Sequence, residues 1–166
     1  MRLMRSRFTF AIFALPLILA LGACAKKEAP AVPAHAPVAK HEHHPPHGGT
    51  PVVLGDEIYH LEFVRDAEAG RLSAYILDGE MENFIRSAAP SFEIVATVGG
   101  ERRPLVLQAV ANPATGETAG STSLFEATAD WLKTTPSFDA VLTTLDIRGS
   151  VFSAVPFNFP KGNDKD

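Results

Sequence analysis

The sequence predicts an all-β domain, an antiparallel β-sandwich of seven to nine strands, with a small closed barrel as the alternative arrangement. Two observations carry that expectation. From about Thr50 onward, apolar and polar residues alternate in short runs, with turn residues between them about every 8 to 12 positions. Over the same stretch no segment sustains the 3.6-residue apolar period of an amphipathic helix.

The elements follow in order. Glu57 to Arg65 sets Tyr59, Leu61 and Phe63 on one face against His60 and Glu62 on the other, the period of two that a strand requires. A turn at Ala69-Gly70 leads into Arg71 to Leu77, which Asp78-Gly79 breaks. Ser91 to Val98 places Phe92, Ile94, Ala96 and Val98 on one face, and Gly99-Gly100 is a two-residue hairpin signal. Its partner, Glu101 to Val110, sets Leu105, Leu107 and Ala109 against Val106, Gln108 and Val110. Pro104 marks that run as an edge strand or a strand beginning. A polar loop from Asn112 to Ser121 precedes a strand from Ser123 to Thr128. Asp130 is placed to cap a helical turn through Trp131, Leu132 and Lys133. Phe138 to Ile147 and Ser150 to Phe159, joined at Arg148-Gly149, are the last two strands, the second an aromatic-rich core strand. Strands of this number and spacing characterise immunoglobulin-like sandwiches.

Ahead of the domain the chain reads differently. Arg2, Arg5 and Arg7 precede an apolar stretch from Phe8 to Leu21, and Leu21-Gly22-Ala23-Cys24 follows with the only cysteine. A basic region, an apolar region and a small-residue cleavage site make a secretory signal. The apolar stretch is shorter than the roughly 20 residues needed to span a bilayer. Leu21-Gly22-Ala23-Cys24 resembles the lipobox of bacterial lipoproteins. The resemblance implies a signal peptide at 1–23, cleavage before Cys24, acylation of its thiol and a membrane anchor that does not span. Ala25 stands where an aspartate would mark retention at the inner membrane, so the expected location is the outer membrane, facing the periplasm. Residues 24–47 are then a linker in which prolines, alanines and histidines replace large apolar residues. Such a composition cannot bury enough surface to offset its ordering entropy, so a disordered or polyproline-like stalk is expected before the domain at 48–166.

Removing the signal leaves 12 basic residues against 19 acidic ones, a formal charge of −7. That balance argues against nucleic acid or an anionic lipid surface as the main partner and is compatible with attraction of cations. All six histidines fall between positions 35 and 60. The run His41-Glu42-His43-His44-Pro45-Pro46-His47 spaces imidazoles so that several can converge on one ion. Imidazole suits Zn, Cu(II) and Ni. With Cys24 acylated, thiolate sites are excluded. His47-Gly48-Gly49 stands where stalk meets domain, and glycine there permits positive φ or close backbone approach. His60 and Glu62 share a strand face; read alone they are a surface pair, and with His47 they would make a three-ligand metal site.

His-Gly-Gly, followed by Tyr59-His60-Leu61-Glu62-Phe63-Val64 and then Leu72-x-x-Tyr75-Ile76-Leu77-Asp78-Gly79, resembles small uncharacterised bacterial envelope proteins that open their β domain this way. The resemblance covers roughly Pro46 to Gly79 and implies an envelope β-sandwich linked to metal handling. No nucleophile elbow, phosphate loop, His-Glu-x-x-His or haem-attachment motif is present, so no enzyme is expected. The sequence thus yields two readings: a lipid-anchored module whose histidines buffer or deliver divalent metal, or a non-catalytic module that docks an envelope protein and uses the tract only as a stalk.

Overall fold

The structure, a computed structural model, describes residues 44–163. Cys24, His41 and His43 lie outside the described residues. Eight strands follow in order: β1 (Thr50–Leu54), β2 (Tyr59–Asp66), β3 (Arg71–Asp78), β4 (Ser91–Val98), β5 (Glu101–Ala109), β6 (Leu124–Thr128), β7 (Phe138–Ile147) and β8 (Ser150–Phe159). A four-residue helix, α1 (Trp131–Thr134), precedes β7. All strand pairs are antiparallel, in one sheet of order β1-β2-β3-β6-β5-β4-β7-β8. The expected all-β antiparallel architecture and strand number are observed. The strands share a single sheet that rolls nearly closed, consistent with a β-sandwich or barrel type of fold.

Local chemistry sets most boundaries. Gly99-Gly100 and Arg148-Gly149 each take positive φ at both positions, as a two-residue hairpin loop demands. Ser91–Val98, Phe138–Ile147 and Ser150–Phe159 lie where alternation placed them. β1 carries no clear strand signal of its own, because Pro51 interrupts its short run. Asp130 does not cap α1: its backbone is itself helical, and its carboxylate instead takes the Lys133 ammonium at 3.0 Å.

The core fills the rolled sheet from the inward faces, with Leu61, Phe63, Ile76, Ile94, Leu107, Phe125, Leu142 and Ile147 fully buried. Each such side chain contributes about 1.5–3 kcal/mol relative to exposure. Phe152, Phe157 and Phe159 of β8 are buried as expected, and Phe157 stacks on Phe63 at 4.8 Å. In β7 the buried positions switch parity, from 138, 140 and 142 to 145 and 147. The switch falls where the β4–β7 register shifts, so a bulge at Thr143 bends the strand and curls the sheet.

The seam between β8 and β1 is closed by a side chain. The Asn163 amide accepts from the Val53 backbone N–H at 2.7 Å and donates to the Val53 carbonyl at 3.1 Å, imitating a strand pair. Asn158 exchanges both backbone bonds with Gly162, so its N–H points away from β7. Pro156, two residues earlier, has the same orientation, and its missing N–H removes no bond to β7. Pro104 obeys the same rule. Ala109 donates to Pro90 on the β4 side, so the Pro104 nitrogen, of opposite parity, faces the other edge of β5, where β6 pairs only with Gln108 and Ala109.

Candidate metal-binding site

The site begins with the turn Pro45-Pro46-His47-Gly48, closed by a bond from the Gly48 N–H to the Pro45 carbonyl at 3.0 Å. Gly48 sits at φ 64°, and the chain then runs across β2 at Gly49. A Cβ on Gly49 would stand 2.6 Å from the Phe63 carbonyl oxygen and 2.8 Å from both Glu62 Cγ and Val64 Cγ2. Only glycine permits that approach. Both roles expected for the glycine pair are therefore realised, positive φ at Gly48 and backbone contact at Gly49. The boundary drawn at 47/48 falls inside this turn, so His47 packs with the domain.

The approach delivers three donors to one carboxylate. The His47 and Gly49 backbone N–H groups donate to Glu62 Oε1 at 2.8 and 2.9 Å, and His47 Nδ1 meets Glu62 Oε2 at 2.8 Å. Glu62 is fully buried, so it is not the surface carboxylate that strand alternation suggested. The reason is a second layer: the 45–49 turn lies over the polar face of β2. A buried charge is tolerated when hydrogen bonds satisfy it, and here each oxygen is occupied. The other half of the expected surface pair, His60, is fully buried too, with Nδ1 at 3.2 Å from the Asp78 carbonyl.

The His47 ring is held on its faces as well as its edge. It stacks on Tyr75 with centroids 3.9 Å apart and planes at 15°, and Phe84 lies 5.7 Å away. Burial, then the charges of Glu126 and Glu62, push the Tyr75 hydroxyl above its ordinary range, so the platform is a neutral phenol. The imidazole still keeps 37% of its surface exposed. An ionised carboxylate only accepts, so Nδ1 is the donor, and in the neutral ring Nε2 then carries the lone pair. That is how outer carboxylates orient metal-ligating histidines.

The expected ligands therefore separate. His47 and Glu62 come together, His44 is exposed three residues upstream of His47, and His60 is engaged elsewhere. Among the described residues no group of three or more His, Cys, Asp or Glu side chains is arranged to hold a metal. The joint site of His47, His60 and Glu62 is not formed, because Glu62 is consumed by His47 and Gly49. Tyr75 carries no site signal of its own in the sequence, although counting back from the Ala69-Gly70 turn places it opposite Glu62. Phe84 had no sequence signal, since it lies outside any strand.

Asp78 builds the neighbouring loop. Its carboxylate accepts from the backbones of Glu82 and Asn83 at 2.9 and 3.2 Å and from the Asn83 amide at 2.6 Å. Burial raises its pKa, but the Asn83 side chain, the two backbone donors and the charge of His60 outweigh burial and hold it below the ordinary carboxylate value. A depressed carboxylate contributes stability above its unfolded pKa, near 3.9, and loses it as pH falls through the lower folded value. The domain should accordingly lose melting temperature below about pH 4, and Asp78→Asn should flatten that loss. An unchanged acid profile in the variant would contradict this.

Compared with known proteins, the chain matches no protein family, and neither a curated protein nor a solved structure is significantly similar to it.

Proposed function

We propose that this is a lipid-anchored envelope protein, non-catalytic, that captures Zn(II), Cu(II) or Ni(II) with its histidine tract to buffer or deliver the ion. One observation supports this above the others: His47, the last histidine of the tract, is fixed on the domain with Nδ1 bonded to a buried carboxylate. A tract lacking any fixed ligand must order itself entirely on binding, whereas this one starts from a placed imidazole. His41, His43 and His44 supply further imidazoles, and Cys24 supplies the anchor, placing the ion on the periplasmic side of the outer membrane.

Two arms test the reading. In cells, Cys24→Ser should release the protein from the membrane fraction or block its processing; a correctly cleaved variant that stays on the membrane would contradict the anchor. With the protein purified without an affinity tag, Zn(II) affinity should fall steeply between about pH 7 and pH 5, since protons compete for imidazole. Affinity independent of pH over that range would leave the envelope-docking reading, with the tract as a stalk.

A further inference from the structure

We infer that Glu62 is a positioning residue that selects the tautomer of His47, and so decides whether Nε2 can bind a metal at all. The inference rests on the proposed metal-binding reading and specifies which atom of the site is the ligand.

Glu62 Oε1 accepts two backbone N–H groups, from His47 and Gly49. Only an oxygen can occupy that position, because an amide nitrogen there would set its hydrogens against two donors. Oε2 is left for Nδ1, and as a carboxylate oxygen it requires Nδ1 to donate. The ring proton is thereby held on Nδ1, and the Nε2 lone pair is the one available to an ion. Neither the carboxylate nor the stacked Tyr75 ring needs to touch the metal.

Glu62→Gln turns this arrangement around while preserving its shape. The backbone donors at 2.8 and 2.9 Å force the new amide to place its oxygen where Oε1 was. Its NH2 group then faces Nδ1, which must accept. The ring proton moves to Nε2, and a nitrogen that carries a proton does not coordinate. Because Tyr75 still stacks on the ring, the imidazole stays in place with its lone pair facing inward.

The test is nitrogen NMR of the metal-free protein at about pH 8, where imidazoles are neutral, followed by Zn(II) titration of the same samples. In the wild type, His47 should show the proton on Nδ1. In Glu62→Gln it should show the proton on Nε2, with Zn(II) affinity reduced about 10- to 100-fold. An Nε2 proton in the wild type, or the same tautomer in both proteins, overturns the positioning role. An exchanged tautomer with undiminished Zn(II) affinity overturns His47 as the ligand, whereas absence of Zn(II) binding by the wild type would fail the metal reading itself. Should the variant not fold, the wild-type tautomer alone decides the positioning role.

Discussion

Replacing Gly49 by alanine should destabilise the domain by about 1–3 kcal/mol, the cost of forcing one methyl into filled space. The added Cβ would meet the Phe63 carbonyl oxygen at 2.6 Å and two further carbons at 2.8 Å. The carbonyl belongs to β2 and is held by its neighbours, so it cannot withdraw. The 45–49 turn must lift instead, taking the His47 and Gly49 N–H groups away from Glu62 Oε1. A buried carboxylate that loses donors costs further, since its desolvation is no longer offset. Gly120→Ala is the control, because nothing stands within 4 Å of its added Cβ and its φ is not positive. Chemical denaturation of the three proteins reads the difference; equal midpoints for Gly49→Ala and wild type would show that the turn is not docked as described.

The parts of the fold that the sequence made legible are those with local causes. A strand with one apolar face and a Gly-Gly or Arg-Gly turn announces itself, as Ser91–Val98 and Ser150–Phe159 do. What alternation cannot reveal is which strand lies beside which. The β3–β6 and β4–β7 pairs join strands far apart in the chain, and any inward apolar face would satisfy the same pattern. Thr143 is similar, since a bulge shifts parity without a distinctive residue type. This is why one curled sheet and two stacked ones read alike.

The site was legible in its members but not in their roles. His47, Gly48, Gly49 and Glu62 stood out as residues with spare chemistry at a domain edge. The polar face of β2 looked exposed because nothing in the strand itself says that a turn from the preceding segment covers it. Once covered, Glu62 is no longer an open carboxylate but the acceptor for His47 and Gly49. His60 is similar: strand parity places it beside Glu62, and burial sets its Nδ1 against the Asp78 carbonyl at the end of β3.

The second large effect concerns the ion. If His47 is the fixed member of the tract, its loss should weaken binding more than its share as one imidazole among several. His47→Ala removes the placed ligand and leaves the others to order themselves unaided. Glu62 would then lose one of its three donors but keep the two backbone bonds. His60→Ala removes a buried ring whose Nδ1 lies against the Asp78 carbonyl and that is not gathered with His47 and Glu62 into a ligand set. The direct measurement is Zn(II) affinity of tag-free protein at pH 7, by calorimetry, for wild type, His47→Ala, His60→Ala and the combined His41, His43, His44 and His47→Ala variant. The account predicts a loss of about tenfold or more for His47→Ala, near abolition for the combined variant, and wild-type affinity for folded His60→Ala. Undiminished affinity in His47→Ala would contradict it.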